Sequence, residues 1–331
     1  MNDIRECPYT GRQVVISESR GDRPHGFGSE QQQDENQTNP FLPGNEDMTP
    51  DEVYADRPEG GEIDDWRVRI VPNKFPAVSP DAPNVNGTNK LFTDHIASGH
   101  HDVVIETPNP NQQMKDYSGD QIQRVFKAWS NRLRQMGDEP ATRYTFMFKN
   151  HGEQAGASLP HPHSQLISLP VVPRQVKHQV EHVHHRDTDV LEEYIEQAFE
   201  QDRVVSKNNS FVCFSPYVPI EPYETWILPR KQQRYFHELT NDNLAKLGQV
   251  IQDVLNKTMN LLGSVPYNLV LSQAPLLSDS NDIWGKTVQS NYRWHLMLLP
   301  RVRYQAGFEY GTGMTINQTS PETSARDLRN N

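Results

Sequence analysis

Two stretches of this chain carry apolar residues at helical spacing, and short β-rich runs lie around each. Ile122, Val125, Phe126, Trp129, Leu133 and Met136 fall on one helical face, and Ser118 with Gln121 three residues on reads as a capping box that opens it. Thr240 opens the second helix, with Leu244, Leu247, Val250, Ile251, Val254, Leu255 and Met259 inward. The β-rich runs are RVRIVPNKFPAV from Arg67, HDVVIETP from His101, YTFMFKN from Tyr144 and HPHSQLISLP from His161, then FVCFSPYVP, YETWILPR, YNLVLSQ and RWHLMLLP. The order strand, strand, helix, strand, strand thus occurs twice. From His101 to Tyr144 and from Tyr223 to Tyr267 the intervals are 43 and 44 residues. An internal duplication accounts for both and predicts an α+β fold of two tandem halves, 1–175 and 176–331, each an antiparallel sheet with one crossing helix. Residues 171–209 would join them, with a helix around 190–201. The stretch from Gly28 to Asp65 is rich in Gln, Asn, Glu, Asp, Pro and Gly and is read as an excursion over the surface.

Composition narrows the classes. A chain of 331 residues exceeds the roughly 250–300 that one core holds. With 43 acidic against 32 basic side chains the formal charge is −11, which repels a polyanion and argues against nucleic acid as a partner. Cys7 and Cys213 are the only cysteines, so neither a disulfide framework nor a CxxC zinc knuckle is available, and the cytoplasm is the expected compartment. MNDIRECPYTGRQ lacks an apolar signal core, and no apolar run reaches the roughly 18 residues a bilayer span needs. Neither secretion nor a membrane partner is expected.

Chemistry concentrates in Lys149-Asn150-His151-Gly152, Gly156-Ala157-Ser158 and His161-Pro162-His163-Ser164-Gln165. On a strand, residues two apart share a face, so His161, His163 and Gln165 would project together, while Gly156 and Ser158 let backbone N–H groups approach an anion. An imidazole with its Nδ1–H on a carbonyl presents Nε2 as an uncharged nucleophile for phosphorus, and His163 is the candidate. Gln165 on the same face could donate to the non-bridging oxygens in the transition state. From spacing alone a metal-ligand pair, as in a cupin barrel, or a structural histidine network is equally open. The cupin arrangement expects a Glu a few residues on, which LISLPVV lacks, and the glycine-rich lead-in favours the nucleophile.

NKFPAV at Asn73, HDVVIETP, KNHGEQAGASLPHPHSQ and AGFEYGTG together resemble the galactose-1-phosphate uridylyltransferase family, a branch of the histidine-triad superfamily. The likeness spans nearly the whole chain, and HPHxQ behind GAS is its specific part. It implies two histidine-triad-like (HIT-like) halves in one chain, a homodimer, no redox or organic cofactor, and ping-pong transfer of UMP from UDP-glucose through His163 to galactose 1-phosphate. It further implies that Arg20 and Arg23 in SESRGDRP bind phosphate, as guanidinium geometry suits. Asn73 matches the nucleotide pocket, and Asn150 and Ser158 the α-phosphate contacts, with His161 beside them. Phe308 and Glu309 match the hexose motif, where Gly311 and Gly313 permit close backbone approach. Taken singly, the plain readings win: the arginines as a solvated face, Asn73 as a turn residue and Glu309 as an ordinary surface carboxylate.

The chain also departs from the family. Many members carry a zinc whose CxxC precedes PGNE; here Asn39 and Leu42 stand in those places and Pro110 replaces a further ligand histidine. One imidazole, His161, cannot close a tetrahedral site, so no structural zinc is expected. The usual HWH of the last strand reads Arg293-Trp294-His295, which argues against a second metal there. His178, Glu181 and His182, with His185, could form a rival site, although HQVEHVHHR reads more simply as a solvated polar helix or loop. Some uridylyltransferases follow the pocket Asn with Asp where this chain has Lys74, and related plant-type enzymes with similar signatures are ADP-glucose phosphorylases. Uridylyl transfer is the leading expectation and adenylyl transfer to phosphate the alternative. A noncatalytic nucleotide-binding protein is the alternative from another class.

Overall fold

A computed structural model of the chain describes residues 3–18, 38–82, 95–184, 186, 189–276 and 283–331. The first half lays down β1 (Asp3–Glu6), β2 (Gln13–Ile16), β3 (Tyr54–Asp56), β4 (Val68–Pro72) and β5 (His101–Ile105), then α1 (Gly119–Gly137), β6 (Tyr144–His151) and β7 (His163–Leu169). Two helices, α2 (Arg174–His184) and α3 (Val190–Glu200), lead to β8 (Val204–Lys207), β9 (Phe211–Phe214) and β10 (Thr225–Pro229). After them come α4 (Asn241–Leu262), β11 (Tyr267–Ser272), α5 (Ile283–Asn291), β12 (His295–Pro300), α6 (Gly307–Thr312), β13 (Thr315–Asn317) and α7 (Pro321–Arg329). The spatial order is β4-β5-β7-β6 in the first half and β9-β10-β12-β11 in the second, so the two repeat one plan. They meet where β6 pairs antiparallel with β11, joining ten strands from β3 to β8 into a single sheet. The tandem α+β duplication read from periodicity is the observed architecture.

Local chemistry explains the two long helices. The Ser118 hydroxyl accepts the Gln121 N–H at 3.1 Å, and the Thr240 hydroxyl accepts that of Asn243 at 3.3 Å. The reciprocal arm of the capping box is absent. Instead Gln121 Nε2 donates to the carbonyls of Arg67 at 2.8 Å and Glu106 at 2.6 Å, tying the start of α1 to residues flanking β4 and β5. The residues read as inward are buried, apart from the partly buried Met259. Both helices share one core against a single face of the sheet, with Ile70, Val104, Leu166, Ile227, Leu269 and Leu296 beneath them. Each such side chain contributes about 1.5–3 kcal/mol of burial. Gly248 of α4 lets Ile122 of α1 come so near that a Cβ there would lie 2.8 Å from Ile122 Cγ2.

The opposite face differs between the halves. On the second half, Phe214, Trp226 and Leu228 are covered by Leu191, Tyr194 and Ile195 of α3 and by Tyr9 and Val14 from the β1–β2 hairpin. On the first half, among the described residues, a small cluster of Phe41, Trp66, Val71, Val103 and Ile105 covers part of the sheet beside a cleft. For its described part, residues 38–65, the surface-excursion reading is corrected. β3 extends the sheet by pairing with β4, Trp66 Nε1 donates to Glu46 at 2.7 Å, and Pro40, Phe41, Met48, Thr49 and Pro50 line the cleft. A segment with few apolar residues can do this because the sheet supplies most of the buried surface. The polar-looking α2 likewise buries Val176, Gln179, Val180 and Val183. Among the described residues no helix is long and apolar enough to cross a membrane.

Candidate active site

The cleft has a volume of about 350 Å³ and gathers Asn73, Ser158, His163 and Gln165, with Lys74, Phe75, Val71 and Val103 around them. That size suits a small-molecule site. His163 opens β7, and strand alternation puts Gln165 on the same face while Ser164 and Leu166 turn toward α1, where Trp129 Nε1 donates to Ser164 Oγ at 2.7 Å. The His163 ring is 7 % exposed. Its Nδ1 lies 2.8 Å from the His161 carbonyl, which can only accept, so the ring proton is on Nδ1. Nε2 has no hydrogen-bond partner among the described residues. Burial holds the His163 pKa below the ordinary imidazole value; the His161 carbonyl opposes this and the Lys149 ammonium adds to it. At neutral pH the ring is an uncharged nucleophile with its lone pair at the cleft.

His161 departs from the expected geometry. It precedes β7, is fully buried and does not line the cleft, so its assignment to nucleotide contact is corrected. Its Nε2–H donates to the Thr107 carbonyl at 2.7 Å and its Nδ1 accepts from Asn39 Nδ2 at 3.0 Å. The Asn39 amide, in the place of a family cysteine, thus occupies the lone pair a metal would take. Leu42 and Pro110 offer no side-chain donor, and this set of groups does not fit a zinc ion. With its ring so held, His161 offers its carbonyl to His163 Nδ1–H.

Asn73 Oδ1 accepts the Phe75 N–H at 2.9 Å, which bends the loop so that Asn73, Lys74 and Phe75 all line the cleft. Asn150 does not line it. Its Nδ2 donates to the Gly156 carbonyl at 3.3 Å and its Oδ1 accepts from Asn268 of β11 at 2.8 Å, so it braces the Gly-Ala-Ser loop against the second half. Gly156 takes φ +90°, a left-handed conformation that glycine adopts without strain, and Ser158 follows it into the cleft wall. Phe308, Glu309, Gly311 and Gly313 lie in and just after α6, away from the cleft lining. Glu309 caps that helix, accepting from Ala306 N–H at 3.0 Å and pairing with Arg303 at 3.3 Å. Arg20 and Arg23 lie outside the described residues.

Sequence reasoning assigns no role to three residues under the site, Lys149, Glu106 and Tyr117. Lys149 Nζ, 1 % exposed, pairs with the fully buried Glu106 at 2.8 Å and donates to the His163 carbonyl at 3.1 Å. Tyr117 Oη donates to the same Glu106 oxygen at 3.0 Å. The available signal was a pair of opposite charges set in two apolar strand runs, KN after YTFMF and ET after HDVVI.

The second half holds a counterpart. β12 occupies the place of β7 and also opens on a histidine, His295. Its ring is buried, stacked on Trp226 at 4.5 Å with Tyr9 edge-on at 5.9 Å, and burial pushes its pKa down to about 3. Arg293, two residues before, pairs with Asp189 at 3.0 Å and Glu192 at 2.7 Å. On α2, His178 and Glu181 are exposed, His185 lies outside the described residues, and no three potential metal ligands cluster among the described residues.

Residues 1–173 match the family model "Galactose-1-phosphate uridyl transferase, N-terminal domain" and residues 175–329 match its C-terminal counterpart. The chain belongs to the galactose-1-phosphate uridyl transferase family. Membership makes it an enzyme of the nucleotidyltransferase class with tandem HIT-like halves. ADP-glucose phosphorylase of Arabidopsis thaliana is 29% identical over 343 residues, covering 99% of this chain and 92% of that protein. A crystal structure of that enzyme with bound ADP-glucose superposes with a TM-score of 0.84 at 28% identity, covering 99% of both chains. Galactose-1-phosphate uridylyltransferase of Thermotoga maritima is 26% identical over 270 residues, 78% of this chain and 82% of that protein.

Proposed function

We propose that this protein transfers a nucleoside monophosphate from a nucleoside-diphosphate glucose through a covalent bond to His163. The observation that carries the reading is the His163 ring, with Nδ1–H held at 2.8 Å by the His161 carbonyl and Nε2 unpartnered at the cleft. The Nε2 lone pair attacks the α-phosphorus, the bond from that phosphorus to the bridging oxygen breaks, and glucose 1-phosphate leaves with the electron pair. The nucleotidyl-imidazole carries a positive charge, which keeps its N–P bond labile. An oxygen of an acceptor phosphate then attacks phosphorus, and Nε2 departs with its pair as the neutral ring. Gln165 donates to the non-bridging oxygens as charge redistributes over them. Asn73, Lys74 and Ser158 supply further polar groups along the cleft.

Transfer of AMP from ADP-glucose to inorganic phosphate, releasing glucose 1-phosphate and ADP, is the reading favoured by likeness over the full length of the Arabidopsis phosphorylase. UMP transfer from UDP-glucose to galactose 1-phosphate is the second reading, supported by the Thermotoga relative and the matched family models. In either case the protein works as a cytoplasmic homodimer without a resident metal or organic cofactor, consistent with two buried unpaired thiols and the donor set around His161. Intact-protein mass spectrometry after exposure to ADP-glucose and, separately, UDP-glucose tests this. A gain of one nucleoside monophosphate that His163→Ala abolishes is expected. No gain with either nucleotide, or a gain that persists in His163→Ala, overturns the proposal. The nucleotide that labels, and whether phosphate or galactose 1-phosphate discharges the label, separates the two readings.

A further inference from the structure

A second histidine faces the cleft chemistry without belonging to the HPHSQ motif. His101 opens β5 and pairs in register with Ile167, which puts its side chain diagonal to Gln165 on the same face of the sheet. Its Nδ1 lies 3.1 Å from the Ala77 backbone N–H. A backbone amide only donates, so Nδ1 carries the lone pair and the ring proton is on Nε2. That Nε2–H donates to Gln165 Oε1 at 2.8 Å. Asn73 Nδ2 is 3.2 Å from the same nitrogen, and because both atoms carry hydrogens this is a packing contact; Asn73 is held by its own bond to Phe75 N–H. Once its oxygen is anchored, the Gln165 amide has a single orientation. Its NH₂ group turns away from His101, and it makes no hydrogen bond to any described residue.

We propose that His101 is the positioning residue for Gln165: it fixes the amide so that NH₂, and not the carbonyl oxygen, meets the phosphoryl oxygens of a nucleotide on His163. The proposal rests on the reading of His163 as the nucleotidylated residue. An unanchored amide presents either end, and a carbonyl oxygen turned to an anionic phosphoryl group repels it. The tautomer of His101 is in turn set by Ala77 N–H, which belongs to the same loop whose Asn73, Lys74 and Phe75 line the cleft. The loop that borders the nucleotide pocket therefore also controls which end of Gln165 is offered.

Single-turnover labelling of His163 by ADP-glucose and UDP-glucose, together with equilibrium nucleotide binding, tests this in His101→Phe, His101→Gln, Gln165→Ala and His101→Phe/Gln165→Ala. Loss of one transition-state donor slows an enzyme by about 10²–10³-fold. His101→Phe, which keeps the donor but frees its orientation, is expected to slow labelling by about 10- to 100-fold with nucleotide affinity within about threefold of wild type. His101→Gln, whose amide N–H can reach the same oxygen, is expected to recover most of the rate. The double variant should be no slower than Gln165→Ala alone. Losses that multiply in the double variant, or a glutamine variant as slow as the phenylalanine one, overturn the proposal. Long-range ¹H–¹⁵N spectra of the wild-type histidine rings supply a readout that needs neither turnover nor a folded variant. His101 as the Nε2–H tautomer is expected, and an Nδ1–H tautomer refutes the anchoring. If wild-type protein takes no label from either nucleotide, the transferase reading fails, while the tautomer spectrum still decides whether His101 anchors Gln165.

Discussion

Lowering the pH should unfold this protein partly through His295. The ring is 1 % exposed and stacked on Trp226, and its pKa falls from 6.5 to about 3, chiefly through burial. The Arg293 backbone carbonyl opposes the shift and the Arg12 guanidinium adds to it. A histidine held neutral in the folded state contributes fully above its unfolded pKa. Between pH 6.5 and about 3 the unfolded chain binds a proton that the folded chain refuses, so stability falls as pH falls. At about pH 5 the unfolded ring is protonated about 1.5 pH units below its pKa, which amounts to about 2 kcal/mol. His295→Phe keeps an aromatic ring against Trp226 and removes the titration. Urea unfolding followed by tryptophan fluorescence at about pH 7.5 and about pH 5 gives the stability of both proteins at each pH. The wild type should lose about 2 kcal/mol more than the variant over that interval. Other histidines held low by burial, such as His151 at about 4, are present in both proteins and cancel. Equal losses in the two proteins would show that His295 takes up a proton in the folded state and that its enclosure is not as described.

Four further outcomes are expected. His163→Ala should abolish the nucleotidyl-enzyme, and Gln165→Ala should slow its formation by about 10²–10³-fold in rapid-quench assays; an undiminished rate in the glutamine variant removes its role. Because burial lowers the His163 pKa, kcat/KM should stay level as pH falls through about 6.5 and decline only below that, as the ring protonates; a decline centred at or above 6.5 contradicts the geometry. Lys149→Met strands the buried Glu106 carboxylate and should destabilise the fold by about 3–5 kcal/mol in urea titrations, with part regained in Lys149→Met/Glu106→Gln. Prolonged dialysis against EDTA should leave circular dichroism and activity unchanged, since Asn39 and Thr107 already occupy both nitrogens of His161; loss of either signal would reveal a metal.

Periodicity sufficed for the repeated core because helices α1 and α4 each bury one stripe against one sheet face, and a 3.6-residue pattern reports that stripe directly. The pairing of His163 with Gln165 was legible for a similar reason: strand alternation puts them on one face whatever surrounds them. What covers the other face was not legible. Phe41 and Trp66 are isolated aromatics in or beside a polar stretch, and their burial depends on a sheet assembled from residues far along the chain. Alternation along HPHSQ makes His161 a face-mate of His163, but the strand begins only at His163 and a bend before it sends the His161 ring inward to Thr107 and Asn39. His101 went unread because a histidine at the head of HDVVIETP has no local partner. Its partners, Ala77 and Gln165, are 24 residues before it and 64 after it.

Duplication by itself would supply two equivalent histidines, His163 and His295, and the register shows how their surroundings differ. Val104 and Ile227 both face the helices, opposite Ser164 and Leu296, so Gln165 beside Val103 corresponds to Met297 beside Trp226. Where the first half has a valine and room for a ligand, the second has an indole that lies flat on the histidine. Where the first half has the Gln165 amide, the second has the Met297 thioether with no hydrogen to donate. α3 and the β1–β2 hairpin then cover what remains of that face, whereas among the described residues Phe41 and Trp66 roof a part of the first half. Donor, space and access are therefore all missing from the second half. His295 is left as a buried neutral ring packed against Trp226 and Tyr9, while Asn268 of β11 braces Asn150 and the loop before His163 across the β6–β11 seam.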